Sequence, residues 1–195
     1  GVCEGIAKSV KALCDRLGLW CIVALAENNP EKGIKYRHAW NVVRLGGQYY
    51  HLDATFDNSL GGDGLVRYDY FNLDDRRLFR DHEALVYPVP PCADGSRFYY
   101  KQAGCSFTRV EDAARRAAQA IRKKQPLVFH WRGGPLTREV LGELAAALEA
   151  AAGAKGRHAA IRLNWPQAVL EIHFPEAPPA DTCVAQEANE GEALE

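Results

Sequence analysis

Several features that would identify common classes of protein are absent from this sequence. It has no run of about 18 apolar residues, which a membrane span requires; its longest run, Leu19 to Ala26, suits a strand. Lysine and arginine number 24 against 25 aspartate and glutamate, which gives a formal net charge of −1. A charge so near zero disfavours an overall attraction to nucleic acid or anionic membranes. We therefore predict no nucleic-acid partner and no membrane span within these residues.

Methionine and C-x-x-C pairs are also absent. Because the chain begins at Gly1 without methionine or a signal-peptide pattern, we expect a fragment or processed product with any targeting segment upstream. The compartment therefore stays open, with the cytoplasm favoured. A chain of 195 residues that is 47% hydrophobic can form a core without disulfides. We expect most of the six cysteines to be free and predict no structural zinc site. The alternative, in an exported protein, pairs Cys92 with Cys105.

The chain divides by pattern into two domains and a tail. We assign residues 1–90 to a first domain, in which residues 3–17 form an amphipathic helix and residues 20–27 a strand. Residues 95–174 alternate strand-like and helix-like segments and predict a small α/β domain. The segments of this second domain are strands at 127–131, 161–165 and 168–174 and helices at 109–124 and 137–152. Residues 175–195 are rich in proline, alanine and acids without periodicity, which predicts a disordered acidic tail.

A hairpin is the most informative local pattern. Two aromatic and β-branched runs, residues 36–45 and 48–55, flank Gly46-Gly47, which is typical of a two-residue turn. In that register the numbers of opposed residues sum to 93. His38 and Asp53 are then diagonal neighbours on one face, about 7–8 Å apart at the backbone. Their side chains are therefore expected to reach one another.

Cys3 can complete a catalytic site with this pair. It lies in the first turn of the predicted helix, where the helix dipole and unpaired N–H groups favour a thiolate. A carboxylate on one nitrogen of His38 would fix its tautomer and leave the other nitrogen for the thiol. We predict Cys3 as nucleophile, His38 as base and Asp53 as orienting group. His51 shares the same face and is the rival base, and Trp40 is predicted to form a wall of the site.

Three segments stand in order along the first domain. They are Gly-Val-Cys-Glu-Gly-Ile-Ala at 1–7, His-Ala-Trp-Asn-Val-Val at 38–43 and Tyr-His-Leu-Asp-Ala-Thr-Phe-Asp at 50–57. Together they resemble the bacterial transglutaminase-like superfamily, in particular the branch shared with cytokinesis-linked transglutaminase-core proteins. The resemblance covers about residues 1–85 and implies a papain-like α+β core. It places a Cys-His-Asp triad on Cys3, His38 and Asp53, and it implies thiol-dependent acyl transfer at amide bonds of protein or peptide substrates.

The acyl acceptor is left open by the sequence. Water would make the protein a cysteine peptidase or amidase, and an amine would make it a transglutaminase. We favour hydrolysis, because no segment indicates a tunnel that admits an amine and excludes water. The alternative function is a non-catalytic protein-binding module on the same scaffold. The particular substrate, the oligomeric state and the role of the second domain are not identified.

Two further features of the predicted site concern ligands. The backbone N–H of Cys3 can provide one oxyanion donor, whereas no second donor can be located in the sequence.

Asp57, Asn58 and Asp63 lie in a segment, residues 57–64, that we predict to be a flexible loop over the cleft. These oxygen ligands do not have the spacing of a calcium-binding loop. We therefore predict no metal and no cofactor.

Overall fold

This computed structural model describes residues 2–34, 37–62 and 64–177. The described residues contain six α-helices and two four-stranded sheets, joined by turns and loops. The predicted α+β class is confirmed. Within the described residues the chain divides into two compact units, of which the first ends at Gln102 and the second begins at Ala103. Residues 178–195 of the predicted tail, together with Cys183 and Asp63, lie outside the described residues.

The first unit contains an antiparallel sheet in the order β1-β2-β3-β4. Its strands are β1 (Cys21–Ala26), β2 (His38–Leu45), β3 (Gln48–Leu52) and β4 (Phe71–Leu73). The hairpin register is confirmed, because Leu45 pairs with Gln48 and Val42 with His51. Gly46 and Gly47 have φ values of 59° and 85°, a conformation that the two-residue turn requires and that glycine adopts without strain.

The second strand of the hairpin is shorter than the sequence predicts. β3 ends at Leu52, and Ala54–Leu60 forms a helix, α2, so the predicted strand to residue 55 and the predicted loop from residue 57 are wrong in this region. The physical reason is a helix cap. Asp53 Oδ1 accepts hydrogen bonds from the backbone N–H groups of Thr55 and Phe56, which would otherwise lack partners in the first turn.

Helix α1 (Val2–Arg16) packs against β1 and β2. Its apolar stripe buries Ala7 and Cys14, and Cys14 shares a small core cluster with Val43 and Tyr50. Asn41 on β2 donates a hydrogen bond to the Ala7 carbonyl oxygen at 2.9 Å and so fixes the helix on the sheet. The first unit also contains two four-residue helices, α3 (Asp75–Leu78) and α4 (Tyr99–Gln102).

The second unit has a mixed sheet in the order β5-β6-β8-β7 with two helices. Among the described strands of this sheet, β5 pairs with β6 in parallel, whereas the β6–β8 and β7–β8 pairings are antiparallel. The strands are β5 (Ser106–Phe107), β6 (Leu127–Trp131), β7 (Ala160–Asn164) and β8 (Val169–His173). Helices α5 (Val110–Arg122) and α6 (Arg138–Gly153) share one apolar core with Phe129, Leu170 and Ile172 of the sheet. Each strand and helix predicted between residues 109 and 174 is present, within two residues of its predicted bounds.

Two further observations bear on the expectations for cysteines and membranes. The five described cysteines are free thiols, so Cys92 and Cys105 do not form the alternative disulfide. None of the helices in the described ranges has the length and apolar character needed to cross a membrane.

Candidate active site

The side chains of His38 and Asp53 meet where β2 begins and α2 is capped. His38 Nε2 contacts Asp53 Oδ2, and the Asp53 side chain is fully buried. The other carboxylate oxygen, Oδ1, caps α2, so the cap turns Oδ2 towards His38. The predicted pair is therefore brought together, although Asp53 reaches His38 from a helix cap and not as a cross-strand neighbour.

A second histidine that the sequence analysis did not identify shares Asp53. His82 Nε2 lies 2.9 Å from Asp53 Oδ2, and His82 Nδ1 lies 2.9 Å from Asp81 Oδ1. Tyr70 donates its hydroxyl to the other Asp81 oxygen at 2.6 Å. His82 is buried, as is Asp53. The result is a chain of polar groups that runs from His38 through Asp53 and His82 to Asp81.

The charges of this cluster follow from burial and hydrogen bonding. Burial alone would raise the pKa of Asp53, but hydrogen bonds with His38 and His82 outweigh it and hold that pKa at about 2. Burial alone would lower the pKa of His82, whereas hydrogen bonds with Asp53 and Asp81 raise it overall. Because an ionised carboxylate can only accept, each histidine donates from Nε2 to Asp53.

Cys3 lies in the first turn of α1 and is partly exposed. Its Sγ is 4.0 Å from the carbonyl oxygen of Arg37, the residue that precedes His38. In the described part of the chain no hydrogen bond joins Cys3 to His38, and His38 Nδ1 has no hydrogen-bond partner. The structure thus joins His38 to Asp53 directly and places Cys3 beside the backbone that leads into His38.

Aromatic side chains surround the imidazole of His38. The Trp40 ring stacks on it with centroids 5.8 Å apart, and the Phe56 ring lies 4.7 Å away. Trp40 donates its indole N–H to His51, which commits that donor and leaves it unavailable to an oxyanion. Beside these rings is a cavity of about 130 Å³. Its lining residues are Ala26, Glu27, Ile34, His38, Trp40, Phe56, Asp81, His82 and Glu83.

His51, the rival base, is held in a separate hydrogen-bonded chain. Its Nδ1 accepts from Trp40 Nε1 at 3.1 Å, so its proton is on Nε2, which donates to Asp75 Oδ1 at 2.8 Å. The His51 side chain is fully buried, and burial lowers its pKa despite the hydrogen bond to Asp75. With both ring nitrogens engaged, His51 has no nitrogen left for a thiol.

Asp57, on α2, is a buried acid next to this site. Burial raises the pKa of Asp57 to about 8, and the negative charges of Asp69 and Asp53 act in the same direction. Its Oδ1 accepts the backbone N–H of Tyr70 at 2.9 Å. It also lines a larger cavity, of about 590 Å³, together with Val10, Leu52 and other mainly apolar residues. Asp57 is therefore mostly neutral near pH 7, and asparagine is the closest mimic of that form.

We expect Asp57→Asn to stabilise the protein at pH 8 by about 2 kcal/mol or more, and to change little at pH 4. The pKa of Asp57 is raised from 3.8 to about 8 on folding, so the folded state binds the extra proton and wild-type stability falls as the pH rises between these values. Asparagine does not ionise, so the variant should not lose stability in this way as the pH rises. Urea denaturation at both pH values measures the effect, and Asp15→Asn on the exposed side of α1 is the control. Equal pH dependence of the Asp57→Asn variant and the wild type would show that Asp57 is ionised in the fold.

Two groups at this site have properties that thiol chemistry can use. The N-terminal turn of α1 offers backbone N–H groups without intrahelical partners beside Cys3. A histidine oriented by a buried carboxylate keeps one ring nitrogen unused.

The comparisons with known proteins add no relative: neither a protein-family model nor a curated protein matches this sequence.

Proposed function

We propose that this protein catalyses thiol-dependent acyl transfer at amide bonds of a protein or peptide substrate. Cys3 is the nucleophile, His38 transfers the proton and Asp53 orients His38. The observation that carries the proposal is the contact of His38 Nε2 with the buried Asp53 carboxylate. This contact fixes the proton of His38 on Nε2. Nδ1 has no hydrogen-bond partner among the described residues, so its lone pair can accept the thiol proton.

The reaction proceeds in two steps. The Cys3 sulfur attacks the amide carbonyl, His38 protonates the departing amine, the C–N bond breaks and a thioester forms. Water or a second amine then attacks the thioester and gives its proton to His38. The acid or the new amide leaves, and the thiol is regenerated. For the first step, Cys3 Sγ must move from the carbonyl oxygen of Arg37 to Nδ1 of His38. His38 is the residue that follows Arg37 in the chain.

Two observations support a papain-like transglutaminase core as the finer fold of the first unit. Helix α1, which carries Cys3, packs on an antiparallel sheet. The three sequence segments that resemble the superfamily supply the helix start, strand β2 and the β3–α2 junction. We further propose hydrolysis as the dominant outcome, with a peptidase or amidase activity. No residue in the described ranges identifies a dedicated amine acceptor site.

The second candidate is a non-catalytic protein-binding module. The observation that favours it is the position of Cys3 Sγ beside a backbone carbonyl instead of the His38 ring. A binding module does not require an activated thiol. The reactivity of Cys3 therefore separates the two functions.

We expect iodoacetamide to alkylate Cys3 near pH 6 at least about tenfold faster than Cys105, because in the proposed reaction His38 accepts the proton of the Cys3 thiol. Mass spectrometry resolves the individual cysteines, and Cys105 is a suitable reference because it is also partly exposed. Cys3→Ser should also abolish ammonia release from a glutamine-containing peptide. A Cys3 rate equal to that of Cys105 across the pH range would favour the binding module.

A further inference from the structure

A metal-binding arrangement is present at the inner side of the candidate active site. His38, His82 and Asp53 each offer one ligand atom, and these atoms all lie within 4.8 Å of one another. Nε2 is the nitrogen by which each histidine contacts Asp53 Oδ2. Two imidazole nitrogens and one carboxylate oxygen form a ligand set that Zn²⁺ and other first-row metal ions accept, with further positions open to water. Asp53 Oδ1 is engaged by the α2 cap, so Oδ2 is the oxygen directed at both histidines.

The groups behind these ligands match those of metal centres. A metal-bound histidine usually donates its second ring N–H to a carboxylate, which fixes the ring and its tautomer. His82 Nδ1 has that partner in Asp81, at 2.9 Å, and Asp81 is itself held by the Tyr70 hydroxyl at 2.6 Å. With its proton on Nδ1, His82 can offer the Nε2 lone pair to a cation.

The cavity beside the cluster supplies space for an ion and its bound water. Its volume of about 130 Å³ exceeds the roughly 30 Å³ that one water occupies in the liquid. His38 and His82 line it together with the acidic residues Glu27, Asp81 and Glu83. A hydrated cation can therefore be accommodated next to the two imidazoles.

We propose that His38, Asp53 and His82 bind a divalent transition metal ion such as Zn²⁺, and that the bound ion excludes the thiol reaction. Binding replaces the Nε2 protons of the histidines with the metal; each neutral ring then carries its proton on Nδ1, and any surplus proton goes to solvent. On His82 this proton stays with Asp81. On His38 it occupies the lone pair that would accept the proton of Cys3. The metal site itself does not depend on the thiol chemistry.

The prediction of no metal depended on the absence of C-x-x-C pairs and on the spacing of the acidic segment at residues 57–64, and His82 was not among the candidate residues. A second cluster, His51, Asp75 and Cys92, also has ligand atoms within 4.8 Å of one another. Its thiol is a poor ligand, because burial raises the pKa of Cys92 to about 12. Cys92→Ser is therefore the control that separates the two clusters.

Titration calorimetry of the metal-free 195-residue chain with ZnCl₂ tests the proposal. We expect one ion per chain in the wild type, and the same affinity in Cys92→Ser and in His158→Ala, a partly exposed histidine of the second unit. Asp81→Asn should weaken binding about 10- to 100-fold, the usual effect of removing such a carboxylate partner. His82→Gln should abolish it. Circular dichroism of each variant verifies folding, and Asp81→Asn keeps the test decisive if His82→Gln does not fold.

A separate experiment, alkylation of Cys3 with and without Zn²⁺, measures whether the bound ion excludes the thiol reaction. Zn²⁺ should slow iodoacetamide alkylation of Cys3 in the wild type and have no effect in His82→Gln. Absence of saturable binding, or unchanged affinity in both Asp81→Asn and His82→Gln, would overturn the metal site. Loss of binding in Cys3→Ser with retention in His82→Gln would place the ion on the thiol and also overturn it. Because calorimetry does not require a reactive thiol, failure of the proposed function remains distinguishable from failure of the metal site.

Discussion

Replacing Asp53 with asparagine is expected to lower acyl-transfer turnover by about three to four orders of magnitude while the protein stays folded. Asparagine caps helices about as well as aspartate, so its amide oxygen can accept the Thr55 and Phe56 N–H groups in place of Oδ1. The amide nitrogen then faces His38 and His82. Since it can only donate, it favours the tautomer of His38 with the proton on Nδ1, which cannot take a proton from Cys3.

Turnover on a glutamine-containing peptide and urea denaturation of the same preparation measure both effects. Asp74→Asn is the matched control, because Asp74 also caps a helix of the first unit and accepts the backbone N–H of Arg77 at 2.8 Å. That variant should retain turnover. A destabilised Asp53→Asn variant with normal turnover would instead restrict Asp53 to the helix cap.

The acid sensitivity of the protein should change in the same variant. The pKa of Asp53 is lowered from 3.8 to about 2 in the fold, so its contribution is present above pH 3.8 and is lost as the pH falls towards 2. That contribution is on the order of 2 kcal/mol. Asp53→Asn lacks this contribution at every pH, so its unfolding free energy should fall less steeply between pH 4 and pH 2.

His38→Ala is expected to remove the selective alkylation of Cys3 at pH 6, whereas His51→Ala should preserve it. The first variant lacks the imidazole that, in the proposed function, accepts the proton of the Cys3 thiol. The second leaves Trp40 Nε1 and Asp75 without their partner, so it should cost about 2 kcal/mol or more of stability without affecting the thiol. Labelling with mass spectrometry and urea denaturation on each variant give the two quantities.

The reverse pattern would contradict the assignment. If His51→Ala removed selective labelling and His38→Ala retained it, His51 would have to leave Trp40 and Asp75 to reach the thiol. His173→Ala, in the second unit, is a control for the general effect of losing an imidazole. It should change neither the labelling of Cys3 nor that of Cys105.

The local sequence pattern was sufficient to predict those helices and strands whose residues interact mainly with near neighbours in the chain. The Gly46-Gly47 turn determines the register of β2 and β3, because two adjacent residues with positive φ connect the strands in one way. Helices α5 and α6 and strand β6 also follow from apolar periodicity. The pairing of His38 with Asp53 was within reach of such an argument, since both residues flank the same hairpin.

Tertiary structure decided the rest of the site. The sequence suggested an extended chain through residue 55, but capping by Asp53 ends β3 at Leu52 and begins α2, because unpaired N–H groups of a helix start need an acceptor. β4, with three residues, is too short to have a periodicity and was not predicted. His82 lies 29 residues beyond Asp53 and is brought to it only by the packing of the intervening β4 and α3. By itself the sequence thus determined the hairpin and the candidate residues on it; burial of Asp53 between two histidines depends on contacts that no local pattern encodes.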